Sequence, residues 1–251
     1  MKRITIALLL VIVTALTFSS CAKEKTVPVQ SEVQNNENEK KTEEAQKLAG
    51  EFMNALCNMD AALMSTMCVN PESVKRRFPY DNFKDYVLEI NHGNLTEKDE
   101  LKKINYIDPC ISCYADKVLL GNSYVIKGAS KAYGGYEIAV AVETFEPAYV
   151  SEKINSIMKE DILEKKGTEI SERLLKNGIV TELSTEEEII AALYKGASEE
   201  AIPTIESQIE AAKKIKEDYV LYIVEKDGKL LVDITRSTAF FAISTDVFKI
   251  Y

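Results

Sequence analysis

Tryptophan is absent from the 251 residues, and histidine occurs once, as His92. A single imidazole cannot build a histidine-based metal cluster. His92 also falls where a helix is expected to end, so it reads as a cap or surface residue rather than half of a nucleophile–His pair. The ten glycines form no phosphate-cradling loop, and neither a Gly-x-Ser-x-Gly elbow nor a His-Glu-x-x-His segment occurs. No cofactor is therefore expected. After the first 21 residues no apolar run reaches the roughly 18 residues that a spanning helix needs. Positive charge is in deficit, with 31 Lys and Arg against 40 Asp and Glu, a formal net charge of −9. That balance argues against a nucleic-acid partner and against electrostatic attachment to anionic lipid.

What is present begins at the N-terminus. Met1-Lys2-Arg3 is a short positive start, and Ile4 to Phe18 is apolar except for Thr5, Thr14 and Thr17. Ser19-Ser20-Cys21 closes the stretch. A charged start, a short apolar run and small residues before a cut read as an export signal over residues 1–20. Cys21 after two serines resembles the lipobox of bacterial lipoproteins, whose cysteine is lipidated at the cut. Phe18 departs from the usual Leu three positions earlier. The resemblance implies an extracytoplasmic protein anchored in the bacterial cell envelope through Cys21. Ala22 carries no Asp-type retention signal, which favours the outer membrane in a cell that has one. Cleavage would remove Lys2 and Arg3 and no acid, moving the charge from −9 to −11. At about 0.8 kcal/mol per buried methylene, two or three acyl chains make such an anchor permanent.

Ala22 to Thr42 has no aromatic residue and mixes Lys, Glu, Gln and Asn. Residues 21–42 are therefore expected to be the lipidated cysteine and a flexible tether, with a reach of about 25 Å. Residues 43–251 read as one domain. Ala45, Leu48, Ala49, Phe52, Leu56, Met59, Leu63 and Met67 recur at the helical period, with Asp60 placed to cap a second short helix. A further helix is expected from about Asp81 to Asn91-His92-Gly93. Strands are expected at Ile104–Ile107, at Lys117–Leu120 and Ser123–Ile126 around Gly121-Asn122, and at Tyr136–Phe145. Helices then fill about 148–218, with capping boxes in Ser184-Thr185-Glu186-Glu187-Glu188 and a last helix opening at Pro203. This block holds 10 basic and 16 acidic residues and reads as solvated helix faces. Asp227-Gly228 between Val220–Val224 and Leu230–Ile234 predicts a type I′ hairpin, and Ala239–Ile243 a final edge strand.

This order predicts an α+β fold, with N-terminal helices packed on a curved antiparallel sheet and a helical insertion before the last hairpin. The helix ending in Ala55-Leu56-Cys57-Asn58-Met59-Asp60-Ala61-Ala62-Leu63 and the hairpin Glu225 to Ile234 resemble nuclear-transport-factor-2-like, cystatin-like domains. The resemblance covers about 43–145 and 219–236. It implies a cone-shaped domain of the kind common in bacterial lipoproteins. Some enzymes of that superfamily use a carboxylate and a tyrosine inside the cone, for which Glu137, Glu143, Asp233 and Tyr222 are the available residues. Such a pair needs a dry pocket.

Four cysteines remain beyond Cys21: Cys57, Cys68, Cys110 and Cys113. An exported address and an even count favour disulfides joining the helical cysteines to the 110–113 loop. Sequence leaves the connectivity open, with reduced core thiols as the alternative. Zinc is disfavoured because only Cys110 and Cys113 form a close pair. A redox Cys-x-x-Cys site needs its first thiol at a helix N-terminus, whereas strand is expected after Cys113. Among twelve tyrosines, Tyr133 and Tyr136 flank Gly134-Gly135 and offer a recognition rim. The reading is a non-catalytic binding module, with a protein partner at the envelope or a small apolar ligand in the cone. The alternatives are an enzyme of the same fold and a thiol-redox protein using Cys110 and Cys113.

Overall fold

The computed structural model describes residues 30–94, 99–159 and 162–249. The export signal and Cys21 lie outside that range. Helix α1 spans Gln30–Cys57, so the expected tether is helical from Gln30 onward. Its Lys and Glu residues line up along the helix instead of solvating an extended chain. Lys40 and Lys47 meet Glu44 and Glu51 one turn on, at 4.0 and 3.9 Å. Lys41 reaches Glu225 on the sheet at 3.0 Å.

The core face of α1 carries Ala45, Ala49, Phe52, Met53 and Leu56, all buried. Met59 then takes a left-handed φ of 55°, and Asp60 caps α2 (Ala61–Met67) by accepting from the Leu63 N–H at 2.8 Å. That kink rotates the second helix. Leu63, expected on the buried stripe, is 46% exposed, and Met64 takes its place. Helices α3 (Pro71–Arg77) and α4 (Phe83–Asn94) follow.

Two expected strands are helix instead. α5 (Glu100–Lys102), a π-helical turn (Lys103–Ile107) and α6 (Asp108–Gly121) run on from one another. Asp99 opens the run by accepting from the Leu101 and Lys102 N–H groups at 3.0 and 3.2 Å. Pro109, which has no N–H to give, is the second residue after the π turn, close to where the α ladder is already interrupted. Tyr106, Ile107, Cys110, Ile111, Tyr114, Ala115 and Val118 are buried. Their spacing is helical.

The sheet is an open antiparallel meander in the order β1-β2-β3-β4. Its strands are β1 (Ser123–Ala132), β2 (Gly135–Phe145), β3 (Lys214–Lys226) and β4 (Lys229–Val232). Tyr136, Ile138, Val140 and Val142 turn into the core, against α1. Asp227 and Gly228 both have positive φ, 53° and 72°, which closes the expected tight hairpin. Helices α7 (Pro147–Lys159), α8 (Ile162–Lys176) and α9 (Glu186–Glu210) occupy the chain between the neighbouring strands β2 and β3. The architecture is thus α+β with a helical insertion. α9 continues through Pro203, where a new helix was expected. The 3-10 turns Thr238–Phe241 and Thr245–Phe248 replace the expected edge strand. They carry Phe240 and Phe248 into the core, where Phe248 meets Phe83 at a 4.7 Å ring separation.

Candidate functional site

On the sheet face turned away from α1, strand register sets Glu137 of β2 directly beside Tyr222 of β3. The Tyr222 hydroxyl donates to Glu137 Oε1. The loop after β4 completes the group. Ser237, buried, accepts from the Tyr222 N–H at 2.9 Å and donates to the Asp233 carbonyl at 2.7 Å. This holds the 233–237 turn against β3, and Arg236 lies over the Tyr222 ring at 4.0 Å. The hydrogen bond to Glu137 raises the Tyr222 pKa, with desolvation adding to it, and Arg236 opposes the shift.

A phenol with a raised pKa is a poorer acid, and the facing Glu137 oxygen is already occupied. The cluster therefore sets a carboxylate and a phenol on adjacent strands, with a cation on the turn beside them. The other carboxylates named from the sequence do not join it. Glu143 pairs with Lys214 at 3.6 Å, and Asp233 accepts from the Thr235 hydroxyl at 2.6 Å within its own turn.

The four cysteines are free thiols, which corrects the disulfide expectation for Cys57, Cys68, Cys110 and Cys113. α1, carrying Cys57, packs on α2 and the sheet, whereas α6, carrying Cys110 and Cys113, packs on α4 and α9. Cys57 and the 110–113 pair thus sit on helices with different main neighbours. Burial pushes the Cys57 thiol to about 11 and those of Cys68 and Cys110 to about 12, and Cys113 is raised as well. A helix does carry Cys110, contrary to expectation. It is not a free helix start, because Ile107 before it is already helical, with φ −69° and ψ −51°. Thiols held protonated in this way are poor nucleophiles.

His92 lies in the last turn of α4, with Nε2 2.5 Å from Asp108 Oδ1 at the first residue of α6. No local pattern around His92 points to that partner, sixteen residues away. Tyr133 is 96% exposed at the β1–β2 turn while Tyr136 is buried, so the two rings form no shared rim. Open grooves lie beside the sheet ends and α2. One of about 440 Å³ is lined by Ala61, Ser65, Lys75, Phe78 and Tyr80. Another of about 240 Å³ is lined by Lys41, Leu48, Glu225 and Leu230. Among the described residues no three His, Cys, Asp or Glu side chains come together as a metal site, and no helix is long and apolar enough to cross a membrane. Comparison with protein-family models, with curated proteins and with solved structures finds no match.

Proposed function

We propose that this chain is a lipid-anchored extracytoplasmic protein of a bacterial envelope, held through Cys21 and acting as a non-catalytic binding module. The observation that carries the binding part is the polar Glu137–Tyr222–Arg236 group, in which register pairs half-exposed Glu137 with Tyr222 and the adjoining turn sets exposed Arg236 over the ring. The Ser19-Ser20-Cys21 stretch after its apolar run supports the anchor. α1 laid on an antiparallel sheet, with the Asp227-Gly228 hairpin after a helical insertion, supports placing the domain with nuclear-transport-factor-2-like proteins.

A second reading has one observation in its favour. The Glu137–Tyr222 hydrogen bond makes a carboxylate–tyrosine pair, the machinery of an enzyme of that fold. The exposure of the pair weighs against it, since such chemistry needs a water-excluded site.

The test is a mass spectrum of the protein purified from its own membrane, native and denatured, together with lysine cross-linking in the intact membrane. An acylated Cys21 at the N-terminus and a cross-linked second protein are expected. An unacylated N-terminus, or neither a cross-linked protein nor a small molecule retained in the native spectrum, would overturn the reading.

A further inference from the structure

We propose that the turn joining α8 to α9 is a docking tip for a basic amphipathic helix of a partner protein. The proposal rests on the binding-module reading and names a surface and a partner chemistry for it. Leu175, Ile179 and Leu183 are 60%, 61% and 94% exposed, three large apolar side chains in one short stretch. Single surface leucines need no explanation, but three large exposed apolar side chains within nine residues do.

These side chains are not on a loose loop. Gly178, at φ 69°, ends α8 with two capping bonds, from its own N–H to Leu175 O at 3.1 Å and from Ile179 N–H to Leu174 O at 3.0 Å. Thr181 and Ser184 then close a turn. The Thr181 N–H donates to Ser184 Oγ and the Ser184 N–H to Thr181 O, both at 3.0 Å. The Leu183 N–H donates to Thr181 Oγ1 at 3.2 Å. A reciprocal capping box between Thr185 and Glu188 starts α9 at once. Val180 fills the buried place under this turn, so Ile179 and Leu183 point to water from a backbone that is already ordered. A partner meeting them has little ordering cost to overcome.

Charge selects the partner. Residues 177–194 contain four glutamates and no Lys or Arg. Glu182, Glu186 and Glu187 are exposed and form no ion pair among the described residues. Glu199 and Glu200, farther along the same helix, are both paired with Arg173. Acids in the first turn of α9 also suit the helix dipole, but Glu182 precedes the helix and has no such use. Ile190 and Leu193, half-covered, add apolar side chains in the first turns of α9. Exposed apolar side chains interspersed along one short stretch with carboxylates that form no ion pair among the described residues fit a helix whose apolar stripe is edged with Lys or Arg. Such a tip repels anionic lipid, and it repels a second copy of itself.

The test is a fluorescence-anisotropy titration of a labelled Leu/Lys amphipathic peptide against the full chain in phosphatidylcholine nanodiscs. The wild type and the variants are compared in identical discs, with empty discs as the blank. Leu175→Ser/Ile179→Ser/Leu183→Ser and Glu182→Lys/Glu186→Lys/Glu187→Lys should each weaken binding about tenfold or more. The charge-matched control Asp81→Lys/Glu89→Lys/Glu152→Lys should stay within about twofold. All three sets replace exposed residues, and circular dichroism checks their folding. Equal weakening by the control, equal binding of a Leu/Glu peptide, or no binding above empty discs would each overturn the docking tip. If the peptide fails while lysine cross-linking still captures a partner at the membrane, the tip falls and the binding-module reading stands. An unacylated Cys21 removes that reading whatever the peptide does.

Discussion

Around α1 and the sheet, the side chains that matter have left water altogether, whereas α8 and α9 meet along a narrower apolar seam edged with ions. Phe52, Met53, Leu56, Ile138, Leu221 and Ile223 are each 0% exposed, and strand register fixes which of them meet. Between α8 and α9 the buried seam is Ile170, Leu174, Ala197 and Ala201. Beyond it Lys166 and Arg173 reach Glu200 at 2.8 and 2.6 Å. Apolar burial contributes about 25 cal/mol per Å², while exposed ion pairs contribute about 0–1 kcal/mol each. The first region should therefore set global stability, and the second should open locally at lower cost. The proposed docking tip at Leu175, Ile179 and Leu183 lies on the second region, where a change of contact does not threaten the core.

The largest test of that contrast is Phe52→Ala. Its ring is fully buried and lies 6.4 Å from the Phe240 ring, so truncation leaves a cavity and should cost about 3–5 kcal/mol. Urea unfolding should show a lower midpoint with an unchanged slope. Leu175→Ala on the insertion should move the midpoint by less than about 0.5 kcal/mol. Similar losses at both positions would erase the distinction.

Alkali should divide the two regions next. Every cysteine precedes residue 114, so the insertion has none. Cys57, Cys68 and Cys110 are raised from an ordinary 9.0 by burial, to about 11, about 12 and about 12. Above the ordinary value the unfolded chain releases these protons and the native chain keeps them. The stabilisation is thus complete below about pH 9 and lost as pH rises toward the folded values. The slope approaches about 1.4 kcal/mol per pH unit for each thiol. Urea midpoints at about pH 8 and about pH 10 should fall apart for the wild type, and less so for Cys57→Ala/Cys110→Ala. An equal fall in both would mean that buried tyrosines, Tyr80 and Tyr114 among them, carry the alkaline loss, since burial raises their pKa values as well.

Where the sequence could be read depended on whether the deciding signal was local. Thr185–Glu188 formed the capping box expected of Ser184 to Glu188, and Asp227-Gly228 made its turn, because each motif satisfies its own backbone. The order of helices, sheet and insertion was legible for the same reason. The 100–121 run was misread because short segments such as Ile104–Ile107 look strand-like alone. The helical spacing from Tyr106 to Val118 becomes visible only over the longer window. Glu137 and Tyr222 could be named as candidates, but their contact depends on a strand pairing across the whole insertion. Arg236 and the Asp108 partner of His92 gave no signal at all, since both act through long-range packing.

The smallest expected effect is also the most specific to the insertion. Glu200 receives hydrogen bonds from Lys166 first and Arg173 second, and both hold its carboxyl below the ordinary 4.5. A lowered carboxyl pKa stabilises above that ordinary value, and the contribution fades as pH falls through the folded value. Glu200→Gln keeps the shape and removes the charge. It should cost at most about 1 kcal/mol, less at high salt. Hydrogen exchange should speed up in α8 and α9 while the amides of β2 and β3 stay as they were. A cost of about 3 kcal/mol or more would be that of breaking a buried pair. The insertion would then be held by its charges as firmly as α1 is held by its apolar face.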